Sequence, residues 1–334
     1  MRRISLGLVL LLALTIVSSG WAQESKPGVL DVLVPYVGGV WKIDGAWSDG
    51  SALDAYEVFD WSVGKKFISC KTFVNTPKGY YQRYENIFGE KDGQLIAWGF
   101  TYEGHFDETR FSIEGKKISS SKQLSDEKEG KSTLHQSVEQ VAPDKFRWIV
   151  SIEKDGQNKQ VMDGTWVHHD KLEQTPKIVW PVTQPSVETA QLDAVTSLIG
   201  TWKIDAKWSD DMPLVARAFY DWGPGKKFVT CKTTLLKADG SVDYERYYTL
   251  FGVQDGKLTA YHFVFDGTTD FEPMTVQGNR LSSQRMFKHA EGDTVVNQFI
   301  ERVAPDHLRW QVTSSKDGQE KQLMDGVWIK ENVK

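Results

Sequence analysis

Gly39-Val40-Trp41-Lys42-Ile43-Asp44 is the stretch that decides the fold, because it returns 161 residues later as Gly200-Thr201-Trp202-Lys203-Ile204-Asp205. Other segments repeat in the same order, as far as Met162-Asp163-Gly164 and Met324-Asp325-Gly326. A repeat of this length is a whole domain, whereas the units of solenoid proteins have periods of roughly 20–50 residues. The chain is therefore a tandem duplication of one domain.

The first copy has an all-β pattern, in which aromatic and β-branched runs alternate with turn signals. The turn signals are Asp49-Gly50, Gly64, Pro77-Lys78-Gly79, Asp92-Gly93, Glu114-Gly115, Glu129-Gly130, Pro143-Asp144 and Asp155-Gly156. They predict about nine strands and leave no room for helices between them, which excludes alternating βαβ construction. Such an antiparallel meander is expected to close into a barrel, because closure removes exposed edge strands.

Each copy is predicted to begin with a short helix. In the second copy, apolar residues recur at helical spacing from Leu192 to Ile199, and Gly200 ends the pattern. In the first copy, Pro35 limits the helix to a turn or two. The predicted domains are a signal peptide at residues 1–22, a first barrel at 23–170, a Pro-containing linker at 171–185 and a second barrel at 186–334.

The N-terminus reads as a secretion signal. Arg2 and Arg3 precede an apolar run from Leu6 to Val17, and small residues lead up to a cleavage point after Ala22. The apolar run is too short to span a bilayer, which takes about 20 apolar residues, so no stable membrane insertion is expected. The pattern predicts a secreted or periplasmic protein.

Composition excludes some classes of partner. The formal net charge is −5, which argues against nucleic acid as a partner, because such proteins neutralise phosphates with Lys and Arg. Two cysteines, one per copy, indicate that disulfides do not hold each domain together. Strand alternation predicts that Cys70 faces the interior as a small buried residue. A bridge between Cys70 and Cys231, or a reactive thiol, stays open as an alternative.

A short helix, a Gly-x-Trp first strand and a meander of this size together resemble the calycin superfamily, which includes lipocalins and fatty-acid-binding proteins. Each half is more similar to uncharacterised bacterial lipocalin-like domains, through Gly-x-Trp, Phe59-Asp60-Trp61 and Gly64-Lys65-Lys66-Phe67. The second lipocalin motif, Thr-Asp-Tyr, is missing from both halves. The resemblance therefore implies a superfamily architecture rather than true lipocalin membership.

The resemblance also implies how one end of each barrel closes. Trp41 and Trp202 match the lipocalin Trp that fills the narrow end. An Arg packs across that ring in lipocalins, and Arg147 and Arg309 are the candidates for it. Two other arginines compete for the same role, Arg83 and Arg246.

Candidate ligand-binding residues lie on matching strands of the two copies. Tyr81 and Arg83 share one strand face, as do Tyr244 and Arg246, and a Tyr with an Arg makes either an anion anchor or an outward-facing ladder. Two histidines that occur in one copy only complete the predicted site, His105 and His262. No His pair has metal-ligand spacing, so no metal site is predicted.

The sequence predicts a non-enzymatic binding protein for a small apolar or amphipathic molecule, held in one or both barrels and admitted at the end away from Gly-x-Trp. No catalytic motif and no cofactor are predicted. One alternative is a calycin-type isomerase or cyclase, indicated by a polar cluster around His262 where the first copy has Gly99. Another is an envelope scaffold or glycan-contacting protein, whose surplus Trp would lie outside the barrels. Loops near Gly104-His105 and Gly267 are candidate lips.

Overall fold

The computed structural model describes residues 28–126, 130–172, 176–180, 187–287 and 293–331, which form two antiparallel β-barrels, as the turn pattern predicts. The proposed signal peptide lies outside the described residues. The strands of barrel 1 are β1 (Val40–Trp47), β2 (Ala52–Leu53), β3 (Ala55–Trp61), β4 (Ile68–Thr76), β5 (Gly79–Lys91), β6 (Gln94–Thr101), β7 (Phe106–Glu114), β8 (Lys117–Asp126), β9 (Gly130–Ala142), β10 (Lys145–Lys154) and β11 (Gln157–His169).

The second barrel repeats this order. Its strands are β12 (Gly200–Trp208), β13 (Pro213–Trp222), β14 (Phe228–Leu236), β15 (Val242–Gln254), β16 (Lys257–Val264), β17 (Thr269–Pro273), β18 (Thr275–Gln277), β19 (Arg280–Phe287), β20 (Thr294–Ala304), β21 (His307–Lys316) and β22 (Gln319–Glu331). None of the helices among the described residues has the length and hydropathy that a membrane-spanning helix needs.

Barrel 1 is closed because β1 pairs with β3 on one side and with β11 on the other. Ten strands form the ring, and the two-residue β2 pairs only with β1. The ring has one strand more than the turn signals predict. The missed turn joins β6 to β7, where Gly104 has a φ of +98° but no typical turn pair marks the position.

Barrel 2 is nearly closed. The hydrogen-bonded order of its eleven strands begins at β17 and ends at β18, which are successive in the chain and separated only by Met274. Together β17 and β18 take the place of β7, since β17 pairs with β16 and β18 pairs with β19. The wall of barrel 2 is therefore interrupted at one residue.

One end of each barrel is capped by the segment that precedes its first strand, and the opposite end is called the far end below. Two 3-10 turns, Val29–Val32 and Val34–Tyr36, cap barrel 1, and α1 (Val187–Thr196) caps barrel 2. The indole Nε1 of Trp41 donates to the Tyr36 carbonyl at 2.7 Å. Trp202 donates to Leu198 at 2.6 Å. Both Gly-x-Trp tryptophans thus fill the capped ends.

Arg147 and Arg309 do not pack across these rings, which differs from the expectation. Arg147 Nε donates to Asp163 Oδ1 at 2.8 Å, and Arg309 Nη2 pairs with Asp325 at 3.1 Å. Successive side chains on a strand point to opposite faces, and Trp148 and its neighbours at even positions face the barrel interior. Both arginine–aspartate pairs therefore lie on the outer wall. Arg147 and Arg309 thus link β10 to β11 and β21 to β22.

Other cations lie over the Trp202 ring. The guanidinium carbon of Arg302 is 5.7 Å from its centroid, and Lys330 Nζ is 5.5 Å from it. Arg302 also donates to the Ser197 carbonyl at the end of α1, at 2.6 Å. Arg302 therefore occupies the place over the ring that the resemblance assigned to Arg309.

The two barrels meet through an apolar contact between their outer walls. Phe67 lies 5.4 Å from Phe263, and the equivalent pair, Phe228 and Phe100, lies 5.3 Å apart. Trp98 and five other buried side chains from both barrels join these four phenylalanines in one cluster. Because each contact recurs with the two partners exchanged, the barrels are related by a pseudo-two-fold axis, as in an isologous dimer.

This symmetry sets the barrels antiparallel. Gly64, at the capped end of barrel 1, lies against Phe265 at the far end of barrel 2, and Gly225 lies against Tyr102 in the reciprocal contact. The two far ends therefore point in opposite directions. Gly104 and Gly267 face lysines of the opposite barrel, so the loops proposed as lips belong to the barrel contact.

The described part of the linker docks on barrel 1. Tyr80 N donates to the Lys177 carbonyl at 2.9 Å, and Val179 N donates to the Tyr80 carbonyl at 2.7 Å. The Trp180 ring lies 5.3 Å from Lys226 Nζ of barrel 2. The described part of the linker thus contacts both barrels.

We expect Gly64→Ala to destabilise the protein more than Gly115→Ala. Both glycines have φ near +62°, but a Cβ at Gly64 would lie 2.2 Å from the Phe265 carbonyl oxygen, whereas Gly115 has open space. The shared left-handed conformation costs roughly 1–2 kcal/mol in each variant, and the clash adds about 1–3 kcal/mol at Gly64. Urea unfolding of both variants measures this. Equal losses of stability in the two variants would show that the barrel contact accommodates the added methyl group at no cost.

Candidate functional site

The barrel interiors hold most of the tryptophans. Ten of them lie on the inner faces of the strands, and these are Trp41, Trp47, Trp61, Trp148, Trp166, Trp202, Trp208, Trp222, Trp310 and Trp328. Two of the ten, Trp47 and Trp61, are nevertheless 36% and 37% exposed. Trp98 lies in the barrel contact instead. Several inward-facing residues at mid-barrel, including Asn86 and Thr109, are only half-buried. Inside a ring of strands their accessible surface faces the lumen, so the interior is not solidly packed.

Glu57 is the acidic group of the barrel 1 lumen that sequence reasoning missed. It lies on β3 opposite Trp41 of β1, with its side chain turned inward. Thr72 Oγ1 donates to Glu57 Oε1 at 2.9 Å. Within the described part of the chain, no Lys, Arg or His pairs with this carboxyl group. Ala218 takes the equivalent position in barrel 2.

Burial dominates the titration of Glu57. It raises the pKa of the carboxyl group to about 7, although the hydrogen bond from Thr72 works in the opposite direction. Burial also raises the pKa of the neighbouring Cys70 thiol, and the Glu57 charge adds to that shift. Cys70 and Cys231 are both buried and free, each inside its own barrel. The inward orientation predicted for Cys70 is confirmed, and the two thiols form no bridge.

Barrel 2 contains a polar network at a different place in its lumen. His262 Nδ1 is 2.9 Å from Thr249 Oγ1, and His262 Nε2 is 3.5 Å from Glu272 Oε2. The same carboxylate oxygen accepts from Arg285 Nη2 at 2.9 Å and from Gln298 Nε2 at 3.2 Å. Five strands are joined in this way around Glu272, across the interrupted part of the wall.

Glu272 is only 3% exposed, yet its pKa lies below the usual range of a glutamate. Burial alone would raise its pKa, but hydrogen bonds from His262 and Arg285, together with the Arg285 charge, lower it to about 2. Arg285 also pairs with Asp270. Its Nε is buried and has no hydrogen-bond partner among the described residues.

The equivalent level of barrel 1 is lined by smaller groups. Where barrel 2 has His262, barrel 1 has Gly99, and Thr109 stands in place of Glu272. The remaining equivalents of Thr249, Arg285 and Gln298 are Asn86, Lys122 and Gln136. Lys122 pairs with Asp107. A Cβ at Gly99 would lie 2.9 Å from Asn86 Oδ1 and 3.1 Å from Asp107 Oδ1, so these two side chains take part of the space that His262 occupies in barrel 2.

Tyr81 and Arg83 are brought together near the far end of barrel 1. Arg83 lies where the pairing of β4 with β5 shifts register. Its Nη1 donates to the Tyr81 hydroxyl at 3.0 Å and its Nε to the Tyr84 hydroxyl at 2.9 Å. No carboxylate of the described ranges pairs with Arg83. Tyr81 and Arg83 thus form one of the two arrangements that the sequence allows, a Tyr–Arg group whose guanidinium has N–H donors without a carboxylate partner.

The remaining predicted residues do not form one site. Arg246 Nε donates to the Tyr247 hydroxyl at 3.1 Å, while the Tyr244 ring packs on Phe265 at 4.9 Å. His105 is exposed in the turn between β6 and β7. Of the two single-copy histidines, only His262 belongs to a buried polar network. Within the described ranges no three His, Cys, Asp or Glu side chains are grouped as metal ligands.

A Ser–His–Glu line crosses the outer wall of barrel 1. Ser121 Oγ is 2.7 Å from His135 Nδ1, and His135 Nε2 is 3.1 Å from Glu153 Oε2. All three side chains lie on the solvent side of β8, β9 and β10, whose backbone N–H groups pair between strands. No backbone donors are thus left to stabilise an oxyanion there. We interpret the line as a cross-strand polar ladder.

Comparisons with known proteins identify no family. No protein-family model matches the chain, and no curated protein matches it. Solved structures that resemble it include a protein of unknown function from the DUF3598 family of Nostoc punctiforme, at 10% identity and a TM-score of 0.27, covering 92% of this chain and 100% of that one. A redesigned β-barrel, mFAP1, bound to DFHBI, has 15% identity and a TM-score of 0.22, and covers 41% of this chain and 98% of its own. Likeness at this level identifies neither a ligand nor an activity.

We expect Glu57→Gln to stabilise the protein at alkaline pH. The folded-state pKa of Glu57 is about 7 against 4.5 for a free glutamate, so wild-type stability falls as pH rises through this window. Gln keeps an acceptor for Thr72 and carries no charge. The variant should gain up to about 3 kcal/mol over wild type at pH 8 and little at pH 4.5. Urea unfolding at both pH values measures the difference.

Glu272→Gln serves as the matched control, because its shift has the opposite sign. The folded-state pKa of Glu272 is about 2, so its stabilising effect is present above pH 4.5 and is lost as pH falls through 2. This variant should lose stability at pH 8, in contrast to Glu57→Gln. If both variants changed stability in the same direction at pH 8, the assignment of Glu57 as an uncompensated buried acid would be wrong.

Proposed function

We propose that this chain is a secreted binding protein that holds a small apolar or amphipathic molecule in the lumen of barrel 1. The difference between the two lumens supports the proposal most directly. Gly99 and Thr109 stand in barrel 1 where barrel 2 has His262 and Glu272, so this level of the barrel 1 lumen is lined by smaller side chains. Apolar ligands gain about 25 cal/mol per Å² of surface removed from water, and an aromatic-lined lumen provides that surface.

The far end of barrel 1 is the proposed entrance. Its capped end is closed by the 3-10 turns and by Trp41, whose indole is hydrogen-bonded to Tyr36. Arg83 and Tyr81 lie toward the far end, and the guanidinium has donors that no carboxylate takes up among the described residues. We propose that Arg83 and Tyr81 contact the polar outer part of the ligand. Tyr244 and Arg246 are the corresponding candidates in barrel 2, and His105 keeps only a peripheral role.

The binding proposal is tested by native mass spectrometry of protein purified from its own source, compared with the same sample after denaturation. We expect one small molecule per chain, lost on denaturation. Gly99→His gives barrel 1 the residue that barrel 2 carries and should lower the occupancy, because the imidazole takes up lumen volume. A chain without a bound mass, which also fails to bind an apolar fluorescent probe, would refute the proposal.

His262→Gly is the control for Gly99→His. It makes the reciprocal exchange in barrel 2 and leaves the lumen of barrel 1 unchanged, so occupancy should not fall. If His262→Gly instead removed the bound mass and Gly99→His did not, the ligand would belong to barrel 2.

Secretion is the second part of the proposal, carried by the charged and apolar pattern of residues 1–22. The mature chain should begin at Gln23 and be recovered outside the cytoplasm. N-terminal sequencing of the protein from its source, with cell fractionation, measures both. An uncleaved chain in the cytoplasm would contradict this part and leave the binding proposal standing.

A second candidate function is acid–base conversion of the ligand in one barrel, as in an isomerase or cyclase. The observation that favours it is the buried Glu57, whose pKa of about 7 suits a group that both accepts and releases a proton near neutral pH. Chromatography of the bound molecule before and after prolonged incubation, with wild type and with Glu57→Gln, tests it. The scaffold alternative loses its main support, because most tryptophans face inward.

A further inference from the structure

We propose that the ligand of barrel 1 carries a protonated amine, and that Glu57 is the group that binds it. This inference deepens the proposed function and rests on it. Glu57 lies deep in the lumen, next to Trp41 of the capped end, so it would meet the inner end of a bound molecule. In barrel 2 the equivalent position is Ala218, whose side chain cannot make this contact.

The first step of the argument is the missing counter-ion. A buried carboxylate is normally paired or multiply hydrogen-bonded, because desolvation of an unpaired charge is costly. Glu272 in barrel 2 follows this rule, with Arg285 and Gln298 on one oxygen. Glu57 has one hydrogen bond, from Thr72, and no basic partner among the described residues. A cation that arrives with the ligand would complete the pair.

The walls around Glu57 also suit a cation. Trp41 faces it across the β1–β3 pair, Phe59 follows it two positions along the inner face of β3, and Tyr84 lies opposite Thr72 on β5. Aromatic faces attract ammonium groups, most strongly where water is excluded. The apolar body of an amphipathic amine would meanwhile lie against the same rings.

The other charged groups of this lumen leave Glu57 available. Lys122 forms its ion pair with Asp107, which fixes both charges away from β3. Arg83 is held by the hydroxyls of Tyr81 and Tyr84. Neither cation is within ion-pair distance of Glu57. An ammonium group would therefore meet one uncompensated carboxylate at the closed end of the lumen.

Three probes with one ring system test the inference on the full chain at pH 8, by isothermal titration calorimetry. They are naphthylmethylamine, which is cationic, naphthylmethanol, which is neutral, and naphthoate, which is anionic. We expect the amine to bind about tenfold tighter than the alcohol, and the naphthoate weakest, because a desolvated ion pair forms only with the amine. Glu57→Gln should abolish the amine preference and leave the affinity for the alcohol unchanged.

Two further variants keep the test decisive. Glu57→Ala installs the residue that barrel 2 carries at the same position, so the fold tolerates it, and it should also lose the preference. Glu272→Gln removes a lumen carboxylate from barrel 2 and should keep the preference.

The outcomes separate the two proposals. Equal binding of amine and alcohol, tighter binding of naphthoate, or a preference that survives Glu57→Gln would overturn the inference about the amine and leave barrel binding intact. Failure of all three probes to bind would count against the proposed function itself.

Discussion

The apolar contact around the pseudo-two-fold axis is the constraint on which the rest of the structure depends. A free-standing barrel of this kind needs only one buried face on each strand, but β6 and β16 are buried on both. Their inner faces complete the two lumens, and their outer faces, with Phe100 and Phe263, form the joint between barrels. The joint fixes the barrels antiparallel and places the turn after β6 and the turn after β16 against the opposite barrel.

The two barrels share the same structural framework, but the residues inside their lumens differ. The capping tryptophan, the bulge at Arg83 and Arg246, and the outward ion pairs at Arg147 and Arg309 recur in both barrels. The two lumens instead differ in the strand that carries an inward-facing glutamate. In barrel 1 it is β3, where Glu57 has no basic partner among the described residues, and in barrel 2 it is β17, where Glu272 is bound by its neighbours. Function is consequently to be sought where equivalent residues differ.

Much of the architecture could be predicted, because period-two alternation and turn residues are local properties. The site could not, since it depends on which strands become neighbours in the closed ring. Glu57 looked like one more charge on a strand, yet the run Ala55-Tyr56-Glu57-Val58-Phe59 places it on the same face as two apolar residues. The replacement by Ala218 was a further signal. The continuous apolar run of β6 likewise indicated a strand buried on both faces.

The contact at the axis is not fully symmetric. Glu85 and Tyr248 occupy equivalent positions and meet each other there, the Tyr248 hydroxyl donating to the Glu85 carboxylate, which Gln82 also contacts at 3.1 Å. Two copies of barrel 1 joined by this face would bring two Glu85 carboxyl groups together in a buried place, an arrangement that like charges disfavour. Two copies of barrel 2 would offer two tyrosines and no carboxylate. The contact face of each barrel is thus complementary to that of the other barrel and not to a second copy of its own. Because the two barrels are fused in one chain, each always has the complementary partner beside it.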